Sequence, residues 1–168
     1  MKQRPQSERK FHRTPVTTRL TFPSREATQA WAQTYLSRLR RPCVVCLEGE
    51  MGAGKTQLVR WFLEALGAHD ATSPTFAIHH EYPTPTGPID HVDLYRVESD
   101  ADLESTGFWD LFLQPQGLVF VEWANRLPET VWPALWSRIR IGIQRGTGEA
   151  RTLEVDEFAV NPQDKDQT

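Results

Sequence analysis

The chain has 168 residues, 39% of them apolar, with six tryptophans and a formal charge of −3. That suits one globular domain with a sizeable core and leaves little chain for a second. The weak net charge gives no reason to expect nucleic acid as a direct ligand, and no apolar run is long enough to cross a membrane.

Charge is nevertheless unevenly spread. Lys2, Arg4, Arg9, Lys10, Arg13, Arg19 and Arg25 face only Glu8 in the first twenty-five residues. Low apolar content predicts a basic, flexible leader over residues 1–17 and lacks the apolar core of a signal peptide. Thr18 to Phe22 reads as a short strand. Ser24 is a candidate N-cap for a helix from Arg25 to Leu39, with Ala27, Ala30, Trp31, Thr34, Tyr35 and Leu39 at helical spacing. Arg38, Arg40 and Arg41 gather at its end, where positive charge suits the helix dipole.

Cys43 to Leu47 is a short apolar run of buried-strand type. Its two cysteines, Cys43 and Cys46, are three apart, which puts their side chains on opposite faces of a strand. Small buried hydrophobes are expected rather than a disulfide or a metal pair, in keeping with a reducing cytoplasm.

Gly49-Glu50-Met51-Gly52-Ala53-Gly54-Lys55-Thr56 follows, matching the phosphate-loop pattern G-x-x-x-x-G-K-[ST] at every fixed position. Its glycines let the backbone turn N–H groups toward one anion. Lys55 can reach the outer phosphates of a nucleotide, and the Thr56 hydroxyl can ligate the accompanying magnesium. Gln57 to Leu66 reads as the required helix, ended by Gly67. The opening of that helix brings unpaired N–H groups and a partial positive charge beneath the phosphates.

Residues 69–74 form a connection. Thr75 to Tyr82 and Ile89 to Leu94 read as two strands of a hairpin around the Pro- and Gly-dense turn 83–88. Ser99 to Phe112 is helical in character, within an acidic stretch running from Asp90 to Asp110. Gly117 to Glu122 is an apolar strand that ends in a carboxylate. Arg126 to Leu135 is interrupted by Pro128 and Pro133. Ser137 to Gln144 alternates as a half-exposed strand, with Arg151 to Val155 as a partner, and residues 158–168 read as a polar tail. The expected fold is α/β: a single P-loop NTPase-like, three-layer domain over residues 18–157, with a mixed, mainly parallel central sheet flanked by helices.

A phosphate loop needs a carboxylate to help hold magnesium and a group to orient water. Two positions compete. Glu122 ends a strand that would lie beside the loop strand. Asp93 shares a strand face with His91 and Tyr95, opposite Val92 and Leu94. Ser73-Pro74-Thr75-Phe76 is a bland loop when taken alone. His79 and His80 are neighbours on a strand and point apart, and no zinc pattern is present. No Asn-Lys-x-Asp sequence favours guanine, so ATP is the default nucleotide.

In combination, the phosphate loop, Ser73-Pro74-Thr75-Phe76, His91-Val92-Asp93-Leu94-Tyr95-Arg96 and Val121-Glu122-Trp123 resemble the TsaE (YjeE) family of tRNA threonylcarbamoyladenosine biosynthesis, over roughly residues 18–145. The resemblance implies ATP and magnesium as cofactors. It implies hydrolysis that is weak alone and promoted by a TsaB–TsaD heterodimer, which itself carries out the threonylcarbamoyl transfer to tRNA. Association with tRNA would be indirect, with the isolated protein a monomer or weak oligomer in the cytoplasm. Carried over by motif, Lys55, Asp93 and Glu122 are catalytic. Arg25, Thr28, Glu50, Met51, Gly52, Ala53, Gly54, Lys55, Thr56 and Gln57 bind ATP, while Thr56 and Glu122 hold the metal. Trp123 would link the site to its surroundings. Met51 and Gln57 depart from the leucine and threonine common in the family; for Gln57 this puts a side-chain phosphate contact in doubt. The rival activities are a small P-loop kinase acting on a metabolite and a nucleotide-sensing module without turnover.

Overall fold

Residues 43–47 are buried without alternation, as expected of a strand covered on both faces. In the computed structural model, which describes residues 14–68 and 78–160, this run is the centre of the sheet. The elements are β1 (Val16–Phe22), α1 (Arg25–Tyr35), β2 (Cys43–Gly49), α2 (Lys55–Ala65), β3 (His79–Tyr82), β4 (Ile89–Asp93), α3 (Asp100–Ser105), β5 (Leu118–Glu122), β6 (Ser137–Arg145) and β7 (Arg151–Phe158).

The strands form one seven-stranded sheet in the order β1-β7-β6-β2-β5-β4-β3. The four central strands, β6, β2, β5 and β4, are parallel. The β1–β7–β6 side and β3 extend this block by antiparallel pairing. In register, Leu47 lies opposite Glu122 and Glu122 opposite Asp93. Three parallel strands therefore end side by side where the phosphate loop leaves β2.

One core layer packs α1 and α2 on the sheet: Phe62 stacks on Phe120 at 5.5 Å, and Leu58 and Leu63 join Val45, Leu47 and Ile141. The other face carries Val44, Val92, Val119 and Val121 against Leu103, Phe108 and Trp136. Each large side chain buried in this way stabilises the fold by about 1.5–3 kcal/mol. Cys43 belongs to the first layer and Cys46 to the second, both as free thiols, as the strand spacing predicts. Burial pushes the Cys43 thiol up to about 12 and raises Cys46 well above its usual value, which makes both unreactive.

Several boundaries differ from expectation. β1 begins at Val16, two residues inside the expected leader. Ser24 does cap α1, its hydroxyl accepting from the Ala27 N–H at 3.2 Å. The helix stops at Tyr35 and gives way to a 3₁₀ turn over Leu36–Arg38. The arginines consequently lie beyond the helix. Arg38 pairs with Glu157, and Arg41 donates to the carbonyls of Pro88 and Gln116, tying together the entries to β4 and β5. The buried stripe of α1 is Thr28, Ala32 and Tyr35, so Ala30 and Thr34 face outward.

The expected helix over 99–112 is two pieces. α3 has a capping box between Ser99 and Asp102 and ends before Gly107, whose φ of 71° stops it; a 3₁₀ segment, Phe108–Leu113, follows. Of the strand expected from Thr75, the described part begins at His79, and Ser73-Pro74-Thr75-Phe76 lies outside the described residues. β4 is not a sheet edge: it runs between β5 and β3, and its His91 is buried.

Candidate functional site

The loop starts where β2 approaches β6 too closely for any side chain. A Cβ at Gly49 would sit 2.6 Å from the carbonyl oxygen of Ile143, and its φ is 146°. The turn is pinned by the Ala53 N–H on the Glu50 carbonyl at 3.1 Å. α2 then begins at Lys55, and Gly54 offers it no side-chain cap. Its first N–H groups are left for an external acceptor, the arrangement that favours an anion.

Lys55 is buried and reaches back over the loop. Its Nζ donates to the carbonyls of Gly49 at 2.7 Å and Glu50 at 2.9 Å and lies 3.8 Å above the centre of the Trp123 ring. Burial lowers its pKa, while Glu122 and Asp93 act to keep it charged. Trp123 follows Glu122 in a left-handed conformation, φ 58°, which is strained for a bulky residue and turns the indole under the lysine. Tyr95 packs on Trp123 at 5.1 Å, and the Arg126 guanidinium lies 5.5 Å from the Tyr95 ring.

Both competing carboxylates belong to this site. The Thr56 hydroxyl donates to Glu122 Oε2 at 2.8 Å, and His91 Nε2 meets Glu122 Oε1 at 2.8 Å. Asp93 lies beside Glu122 on the next strand and accepts from the Tyr95 N–H at 2.9 Å. Burial pushes the Asp93 carboxyl above its usual range and the Glu122 charge adds to that, against the pull of the Tyr95 N–H, His91 and Lys55. Thr56 and Glu122 are hard oxygen donors side by side at the end of a phosphate loop, a set that fits magnesium. Among the described residues no group of three or more His, Cys, Asp or Glu side chains is placed to hold a softer metal.

Two adjoining clefts meet across Gly54 and Gln57. One, about 420 Å³, is lined by Met51, Gly52, Lys55, Thr56, Arg60, Asp93, Tyr95, Glu122 and Trp123. The other, about 260 Å³, is lined by Arg25, Thr28, Ala53, Trp61, Glu149 and Arg151 among others, with the Arg25 guanidinium 5.7 Å from the Trp61 ring. The expected site residues thus fall across two clefts, one with Tyr95 and Trp123 beside its charged groups and the other with Trp61 beside Arg25. The Thr28 hydroxyl is engaged by the Ser24 carbonyl at 3.1 Å. Glu50 contributes its carbonyl to Lys55, and its side chain lines neither cleft.

Sequence reasoning missed Arg60, Trp61, Glu149 and Arg151 and gave His91 no partner. Arg60 is one helical turn beyond Thr56, so the i, i+4 rule had signal for it. Arg151 arrives from β7, ninety-eight residues beyond Ala53, and nothing local marks it.

The model of the family described as "Threonylcarbamoyl adenosine biosynthesis protein TsaE" matches residues 22–153. The chain belongs to the TsaE family. Among relatives, a tRNA threonylcarbamoyladenosine biosynthesis protein TsaE of Bacillus subtilis is 36% identical over 129 residues, covering 76% of this chain and 78% of the relative. One from Synechocystis is 36% identical over 111 residues, covering 64% and 71%. The crystal structure of Bacillus subtilis YdiB superposes with a TM-score of 0.60 at 30% identity, covering 87% of this chain and 88% of that one. The TsaE match begins at the end of β1 and runs into β7, so it spans both clefts, and the expected α/β sheet architecture holds.

Proposed function

We propose that this member of the threonylcarbamoyladenosine family binds and hydrolyses ATP with magnesium as an accessory to a TsaB–TsaD complex, which carries out the threonylcarbamoyl transfer to tRNA. The carrying observation is the junction of the capless start of α2 with the Thr56–Glu122 pair and Asp93 in one cleft. The triphosphate would lie along that start, with Lys55 released from the Gly49 and Glu50 carbonyls to meet the outer phosphates. The base would occupy the adjoining cleft beside Trp61 and Arg25.

Thr56 and Glu122 would hold magnesium, which when bound supplies charge neutralisation between the outer phosphates. Asp93, raised in pKa and next to the metal carboxylate, is placed to orient and deprotonate the attacking water. A lysine held on loop carbonyls and an indole accords with feeble turnover by the isolated chain and promotion by a partner. Function in the cytoplasm is part of the same proposal.

The test is ATP turnover by the purified chain with and without TsaB–TsaD, with GTP as control. ATP-specific stimulation by the pair supports the proposal. Equal rates with and without it, or stoichiometric phosphorylation of a metabolite, overturn it.

A further inference from the structure

We propose that His91 is a positioning residue for the magnesium carboxylate, one whose Nε2 N–H locks Glu122 into the orientation that presents it beside Thr56. This rests on the nucleotide–magnesium reading above. Glu122 and His91 are both almost fully buried, with side chains 3% and 2% exposed. The two oxygens of Glu122 are divided between two donors: Oε2 receives the Thr56 hydroxyl, and Oε1 faces His91 Nε2, each at 2.8 Å. A carboxylate accepts, so Nε2 is the nitrogen that donates a proton toward it.

Nδ1 is buried and has no hydrogen-bond partner among the described residues. The ring therefore makes one directed polar contact among the described residues, and it goes to Glu122. A residue serving only to fill the core would leave no polar atom stranded.

The backbone explains why β4 supplies this group. His91 pairs with Phe120 in register, and Asp93 pairs with Glu122. His91 thus reaches Glu122 diagonally across the parallel pair, on the same face as Asp93. Its ring is backed by Tyr82, with centroids 6.5 Å apart. Thr56 can keep its hydroxyl proton on Oε2 and direct its lone pairs into the cleft only while Glu122 holds this rotamer. Without the His91 N–H, the carboxylate is free to swing toward Lys55.

The experiment is calorimetric binding of a non-hydrolysable ATP analogue, in EDTA and in excess magnesium, to the wild type, His91→Asn and His91→Gln. Asparagine keeps the site polar but is too short to reach Glu122; glutamine places an N–H near the position of Nε2. In EDTA all three should bind within about twofold of one another. The gain in affinity on adding magnesium should fall about tenfold or more in His91→Asn, the scale of losses when the partner of a metal ligand is removed, and recover largely in His91→Gln. Thermal melting without nucleotide checks that the variants fold; should His91→Asn fail to, His91→Phe takes its place with the same expectation. A full magnesium gain in the unreaching variant, or an equal loss in EDTA, overturns the role of His91. A wild type with no magnesium gain overturns the underlying reading instead.

Discussion

Arg151 and Ala53 are joined by a hydrogen bond of 2.9 Å, from the Nε–H of the arginine to the carbonyl oxygen in the middle of the phosphate loop. The same guanidinium donates to the carbonyls of Gly148 and Ala150, so one side chain ties the β6–β7 turn to the loop. Arg151→Ala should weaken ATP binding about tenfold, as expected from losing a charged hydrogen bond of about 1.5–3 kcal/mol that preorganises the loop. Arg151→Lys should recover little, because an ammonium lacks the planar fork. Titration with a fluorescent ATP analogue checks both, and an unchanged Kd in Arg151→Ala would refute the coupling.

Lys55→Ala should abolish measurable ATP affinity, since it removes the mobile cation at the phosphates. It also takes the charge from over the indole of Trp123, so tryptophan emission of the apo protein should change. The same substitution in a Trp123→Phe background should leave emission unaltered, which separates this indole from the other tryptophans.

Asp93→Asn should bind the ATP analogue within about threefold of the wild type and lose partner-promoted hydrolysis by about 10²-fold or more, the usual scale for a general base. Full turnover in this variant would remove Asp93 from the mechanism.

These three residues show how unevenly the site could be read from sequence. Lys55 sits in a local pattern whose chemistry fixes its place, and strand alternation sufficed to bring Asp93 to the cleft. The Asp93–Glu122 adjacency needed only the rule that parallel strands end together. Arg151 depends on a β6–β7 pairing that was legible and on a turn that was not. The break of the helix at Gly107 and the early stop of α1 were hidden because apolar periodicity ran through both; at Gly107 local backbone chemistry prevailed over it.

Gly49→Ala should damage folding before binding. The added methyl meets the Ile143 carbonyl at 2.6 Å, and a φ of 146° is costly for any L side chain. Neither neighbour can yield, because β2 and β6 are paired along their whole length at that point. A loss of about 2–4 kcal/mol is expected from a clash added to backbone strain. A urea midpoint equal to the wild type would show that the strands can part there.

A cluster of charges on the β1–β7–β6–β2 part of the sheet makes stability depend on pH. Arg140 donates to Asp156 at 2.7 Å, to Glu154 at 2.7 Å and to Glu48 at 3.1 Å, and Thr17 donates to Asp156 from β1. Burial alone would raise the Asp156 carboxyl, but the bonds from Thr17 and Arg140 outweigh it and hold its pKa below the usual value. For such a group the stabilisation is fully present above the unfolded value near pH 4 and is lost as pH falls through the lower folded value. Urea unfolding between pH 6 and pH 3 should therefore show a falling midpoint. In Arg140→Met the fall should be shallower, because Asp156 loses the partner that depresses it. At pH 7 that variant should be less stable by about 2–3 kcal/mol, under the 3–5 typical of fully buried pairs, since Arg140 is 25% exposed. Three carboxylates left around an apolar side chain would then repel one another, so added salt should restore part of the loss. A variant as stable as the wild type at pH 7, with the same acid slope, would mean that these ion pairs contribute nothing across the β2–β6–β7 seam.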